Sequence, residues 1–382
     1  MESQRGGFWP RVCSLDCHID WDIVPFISSF LTPTIADLCL SFPHKSNLLL
    51  QPTLSLISHT CRQLRSLEID VDTSGSPSGG EIGRLVSASR STLRSINIQP
   101  STPPEAFPAI FNLPLLRSLE LEDPQFSDLV PSEMLSPPED VSLIHSCDPS
   151  LAQFLRRLSI KNLTRVSILA SETIQLHTSL NSLTRATATI EHFMLSPVAA
   201  LGHSSIAFLC KFINLTYLAI GCVCIGDGPD ILCSFQPTDQ DLLDLGGALP
   251  RIRVLYLGPG CRKPCRATFK SLICLSRICG SLECLLIKVD FASIVDGPGQ
   301  QININVSPGV NNPHAQRGRS KLRGFGVGNS SLPDAPRCEW IVALALFTIF
   351  PSANLVRVPD ERWAGVQRDI LVCRRIFHAI EA

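Results

Sequence analysis

Charge is scarce in this chain: Asp, Glu, Lys and Arg make up 18% of 382 residues, and the formal net charge is −1. No dense basic run accompanies it. Arg317, Arg319, Lys321 and Arg323 form the one basic cluster in the linear sequence, so nothing favours nucleic acid as a partner. Long apolar runs are missing too. The longest, Ile341 to Phe350, has ten residues including a Thr, too short to cross a bilayer. No apolar segment behind a basic start opens the chain. An intracellular protein, cytoplasmic or nuclear, is therefore expected, and the 16 cysteines are expected to be reduced, packing as small hydrophobes. Aromatic residues are few, and only two are tyrosines.

The motifs of catalysis are absent. There is no G-x-S-x-G, H-E-x-x-H or P-loop, and no cofactor is expected. Asp70-Val-Asp72-Thr-Ser74-Gly75, followed by Glu81, matches calcium-loop spacing. Leu67 and Ile69, however, make the preceding segment a strand where a helix is needed, so a repeat turn is expected. Cys222 with Cys224 and Cys261 with Cys265 lack zinc-finger geometry. Asp16, His18, Asp20 and Asp22 read as a solvated turn. Neither catalytic nor metal residues are assigned.

What is abundant is a repeat. Hydrophobic residues are 45% of the chain, enough for a large core and unlike a disordered segment. Many recur as L-R-x-L-x-L: Leu64 to Ile69, Leu93 to Ile98, Leu116 to Leu121 and Leu155 to Ile160. Numbering the first apolar residue 1, positions 1, 4 and 6 recur at Ile35/Leu38/Leu40, Ile190/Phe193/Leu195, Leu215/Leu218/Ile220, Ile252/Leu255/Leu257, Leu282/Leu285/Ile287 and Leu322/Phe325/Val327. A weaker copy is Ala353/Val356/Val358. The mean spacing is about 32 residues, longer than the usual leucine-rich repeat. Position 9 lacks the Asn or Cys of regular repeats: it is Asp72, Pro124, Leu163 or Asp290.

Positions 4 and 6 have the two-residue period of a strand with one buried face. Between them, Leu48 to Gln63, Asp148 to Leu155, Leu201 to Phe212, Thr238 to Leu249 and Ala267 to Cys279 carry apolar residues at helical spacing. The expected fold is α/β, a leucine-rich-repeat-like solenoid with a parallel sheet on the concave side and helices outside. Residues 1–30 would be an N-terminal cap segment and 31–358 the solenoid, with loop insertions near 123–150 and 297–320. Residues 359–382 would be a capping helix, with Trp363, Val366, Ile370, Cys373 and Phe377 on one face.

Side chains at positions 3, 5 and 7 should face away from the core. Early repeats place Ser66, Glu68, Asp70, Ser118, Glu120 and Glu122 there. Middle repeats place His192, Tyr217, Val254, Met194, Ala219, Tyr256 and Leu286. An apolar, aromatic patch on an exposed face marks interaction surfaces. Met194, Tyr217, Tyr256 and Leu286 are therefore the candidate protein-binding residues.

Several stretches resemble fungal F-box/leucine-rich-repeat proteins: His59 to Glu68, Leu113 to Asp123, Leu249 to Leu257, Cys279 to Leu285 and the tail Asp360 to Gln367. The resemblance implies a protein-interaction scaffold that selects substrates for a cullin-type ubiquitin ligase, with a ligase adaptor as second partner; the short apolar runs already argue against a membrane role. No recognisable F-box precedes the first repeat at Ile35, so no adaptor-binding residue is assigned. A stand-alone repeat protein unconnected with ubiquitination is the alternative.

Overall fold

The structure, a computed structural model, describes residues 12–20, 22–43, 47–71, 79–99, 102–122, 138–146, 155, 162–174, 181, 183, 186–198, 200–201, 203–222, 234–235, 237–258, 261, 266–294, 321–328, 330–334, 337–356 and 360–381. The chain divides into two compact units. The first comprises Met1–Glu172 and Ser182–Thr189, the second Thr173–Asn181 and Ile190–Ala382.

In the first unit seven strands form one parallel ladder in sequence order: β1 (Ser14–His18), β2 (Asp37–Phe42), β3 (Ser66–Val71), β4 (Ser95–Gln99), β5 (Ser118–Glu122), β6 (Asp140–Ser146) and β7 (Arg165–Ile174). The pairing is set by the repeated pattern: Leu38, Leu67, Ile96, Leu119, Val141 and Val166 align across the ladder. Each is at most 2% exposed. Parallel neighbours need crossover connections, and right-handed crossovers that always step the same way put their helices on the same face. Helices α1 (Val24–Phe30), α2 (Asn47–Thr60), α3 (Gly79–Ala88) and α4 (Phe107–Phe111) supply Ile27, Leu54, Ile57, Ile82, Leu85, Phe107 and Ile110 to that core.

In the second unit the ladder is β8 (His192–Val198), β10 (Tyr217–Cys222), β12 (Val254–Leu257), β13 (Cys284–Ile287), β14 (Gly324–Gly326) and β15 (Asn354–Leu355). Two short strands, β9 (Ala200–Leu201) and β11 (Ser234–Phe235), pair separately. The helices are α5 (His203–Leu209), α6 (Asp239–Ala248), α7 (Phe269–Ile278), α8 (Cys338–Ile349) and α9 (Glu361–Glu381). Thr238 and Asp241 form a reciprocal capping box at the start of α6, and Asp239 accepts hydrogen bonds from the Thr268 amide and hydroxyl, both at 2.7 Å. Helix α9 seals the final repeat: Trp363, Val366, Ile370 and Cys373 are buried, and Arg374 donates to the Pro351 and Ala353 carbonyls.

The expected α/β architecture with an all-parallel sheet is therefore present, and four details differ. Residues 14–18, assigned to a cap segment, are a ladder strand with Leu15 and Cys17 in register with Leu38 and Leu40 across the sheet. Residues 140–146, assigned to a loop insertion, are β6. The signature copy at Leu155/Leu158/Ile160 does not supply a described strand: Leu155 is helical and buried, and 156–161 lie outside the described residues. Strand β7 occupies the next place instead. In the last copy Leu355, and not Val356, is paired with Phe325 and buried, while Val356 is 37% exposed. From Leu38 to Val166 the first unit's ladder advances in five steps of about 26 residues each, and from Phe193 to Leu355 the second unit's advances in five of about 32, against 20–29 for the usual leucine-rich repeat. The second expected insertion, 297–320, lies outside the described residues.

Candidate protein-binding face

On the second unit, residues opposite the helix-covered side form two rows across the strands. Position 5 gives Met194, Ala219, Tyr256, Leu286 and Gly326 in register. Position 3 gives His192, Tyr217, Val254, Cys284 and Gly324. Their neighbours along each strand, Phe193, Leu218 and Leu255, are at most 1% exposed. Alternation therefore holds the two rows on the open side.

Rings meet across these rows. His192 stacks on Tyr217 with centroids 5.7 Å apart and planes 21° apart. Tyr217 meets Tyr256 edge to face at 5.8 Å, a geometry favoured by the ring quadrupoles. Tyr217 is at position 3 and Tyr256 at position 5, so the contact is the diagonal one that long side chains reach on adjacent strands. The Tyr256 hydroxyl lies 3.5 Å from Cys284 Sγ. Met194 is 36% exposed, and both tyrosines are half-buried.

Of the four sequence-assigned residues, three form an accessible patch and one does not. Leu286 is 2% exposed. Its side chain occupies the space above Gly326, where a Cβ would collide with Leu286 Cδ1 and approach the Val356 carbonyl to 3.0 Å. Leu286 is a floor residue because its neighbour on β14 has no side chain. His192 takes its place in the patch. The signal for it was present, since it shares position 3 with Tyr217, but a lone histidine beside two tyrosines carries no stacking geometry in sequence.

Members of the other candidate clusters help hold the fold. Asp20 accepts from the amides of Asp22 and Ile23 and turns the chain into α1. Glu81 accepts from Gln51 and Arg84. Cys222 donates to the Gly258 carbonyl, and the Cys261 carbonyl accepts from Lys288. His203 Nδ1 lies 3.3 Å from Asp241, whose other oxygen is taken by the Thr238 cap. Among the described residues no group of three or more His, Cys, Asp or Glu is placed to hold a metal ion. No helix among them is long and apolar enough to cross a membrane. In an open groove of about 600 Å³ between α3 and α4, both arginines are engaged locally, Arg84 on Glu81 and Arg90 on the Asn112 carbonyl. Most of Ser74 to Gly80, Cys224, Cys265, Arg317 and Arg319 lie outside the described residues.

No protein-family model matches the chain, and no curated protein is similar to it.

Proposed function

We propose that the chain is a protein-binding scaffold whose second unit captures its partner on the open sheet face around His192, Met194, Tyr217 and Tyr256. The observation that carries this reading is the ring cluster: the chain's two tyrosines, at positions 217 and 256 of a poorly aromatic sequence, meet on one half-exposed face. Aromatic side chains add large contact area at small entropic cost and dominate interface energetics. The narrower form of the proposal is that the partner is a substrate delivered to a cullin-type ubiquitin ligase. It rests on the resemblance of the repeats to F-box/leucine-rich-repeat proteins.

The test is site-specific crosslinking. A photoreactive amino acid replacing Met194 should crosslink the partners that co-purify with the full chain. Tyr217→Ala/Tyr256→Ala should abolish that product while leaving the melting temperature within a few degrees of the parent. Partners that crosslink from other faces, and persist in the double variant, would refute the assigned surface. Recovery of a cullin and its adaptor supports the ligase role. Reproducible partners without them leave the scaffold as the stand-alone binding protein.

A further inference from the structure

The first unit carries a different surface, built by position 2 of the signature. Arg65, Arg94 and Arg117 hold that position at the starts of β3, β4 and β5. Their main chains are pinned in a row. The Ala36 carbonyl accepts from Arg65 N and Ser66 N, at 2.6 and 3.0 Å. The Arg65 carbonyl accepts from Arg94 N and Ser95 N, at 2.8 and 3.0 Å. The Arg94 carbonyl accepts from Arg117 N and Ser118 N, at 2.7 and 3.0 Å. Three arginine Cα atoms are thereby spaced at the strand separation, ~4.8 Å.

All three side chains are exposed. None has a hydrogen-bond or ion-pair partner among the described residues. The helix-to-strand turns that carry them, 61–66, 89–95 and 112–118, also hold Arg62 and Arg90 and contain no Asp or Glu. Five positive charges thus line one edge of three consecutive repeats in a chain of net charge −1. Beside the arginines runs a second aligned row, Ser66, Ser95 and Ser118, whose hydroxyls have no protein partner among the described residues. No hydrogen bond or ion pair to the described residues accounts for these side chains.

We propose that this edge is a docking surface for a short acidic segment of a partner protein, its carboxylates taken one by one by Arg65, Arg94 and Arg117. Guanidinium forks bind carboxylates through two parallel N–H donors, and the serine hydroxyls next to them supply further donors. Charge complementarity sets the sign of the partner, and the borders set its kind. Asp37 on β2 and Asp140 on β6 flank the serine row, Glu139 follows Arg117 along the arginine row, and Glu68 and Glu120 stand two residues further along β3 and β5. The positive strip is three strands wide, about 10 Å between its outer members. A nucleic acid, with its continuous charge, overruns such a strip into carboxylates, whereas a few Asp or Glu residues fit within it. This surface is separate from the aromatic patch and does not depend on it.

The experiment uses the full chain and a fluorescein-labelled hexaglutamate peptide, with its hexaglutamine counterpart and an oligothymidylate of equal charge, read by fluorescence anisotropy at low and moderate salt. Hexaglutamate should bind, weaken with salt and outcompete the oligothymidylate, and hexaglutamine should not bind. Arg65→Gln/Arg94→Gln/Arg117→Gln should raise the Kd about tenfold, the sum of three modest exposed ion pairs, with an unchanged melting temperature. The corresponding triple Lys variant, keeping charge without the fork, should fall between the two. Absence of peptide binding at low salt, tighter binding of the oligothymidylate, or equal peptide affinity in a folded triple Gln variant would each overturn the proposal.

Discussion

Arg362 and Trp363 show what a single residue does at the end of this chain. Arg362 donates to Glu339 at 2.9 Å, to Asp334 at 2.9 Å and to the Leu332 and Pro333 carbonyls. Trp363 is fully buried against Phe291, with its indole N–H on the Ser330 carbonyl at 2.8 Å. Arg362 and Trp363 are thus a clamp on the segment before α8. Trp363→Ala should destabilise the second unit by about 3–5 kcal/mol, a large cavity plus an orphaned carbonyl, measurable by urea unfolding. The hydrogen bond from Arg362 also holds the Glu339 carboxyl below its ordinary range. A depressed folded pKa adds stability above the unfolded value, so this contribution should fade as pH drops below the ordinary 4.5. Glu120 runs the other way: burial first, then Glu68 and Asp140, raise its pKa. Its ionisation opposes folding as pH rises through the folded value. Glu120→Gln should therefore raise the melting temperature at neutral pH and lose that advantage below 4.5. A thermal melt series in both buffers decides it.

At the level of elements, α6 and α7 were readable as helices at 238–249 and 267–279 because their apolar spacing runs uninterrupted. The tie between them was not readable. Asp239 of α6 receives the Thr268 amide and hydroxyl that begin α7, a contact across 29 positions. Asp239→Ala should cost about 1–2 kcal/mol, as a lost helix cap does, and a double-mutant cycle with Thr268→Ala should show strong coupling by chemical denaturation. Strand β6 was hidden by the prolines around it, Pro137 and Pro138 among them, which break regular structure, leaving only Val141 and Leu143 to signal alternation. The strong L-R-R-L-S-I match at 155–160 then took the place that β7 fills. At β15 the sequence offers Ala353, Leu355, Val356 and Val358 with no decisive period, and a one-residue slip exchanges faces. On the candidate face, the tyrosines were legible from spacing alone. The burial of Leu286 was not, because it depends on a glycine on the neighbouring strand, forty residues away.

At the scale of the whole molecule, the ladder strands of each unit are bonded to their neighbours, and each unit's open surface is composed strand by strand. The first unit presents arginine, serine and carboxylate rows, and the second presents rings. All 12 described cysteines are free thiols, and Cys61, Cys261, Cys279, Cys338 and Cys373 are buried. Burial pushes Cys61 and Cys279 up to about 11, and burial with Glu68 and Asp16 pushes Cys39 up to about 12. The reactive form is the thiolate. Native protein treated with iodoacetamide at pH 8 should therefore be alkylated first at exposed Cys13 and leave Cys39, Cys61 and Cys279 intact until urea is added, as peptide mass spectrometry would show.

The paired amides on a single carbonyl, repeated at Ala36, Arg65, Arg94 and Arg117, bear on how such a chain changes over generations. The joint uses only backbone atoms, so it accepts any side chain at the residues it joins, save proline where an amide must donate. A duplicated or deleted repeat therefore rejoins its neighbours through the same joint and keeps every other strand in register. Length and recognition chemistry become separately heritable: one changes by whole repeats, the other by point substitution in a single column of the surface.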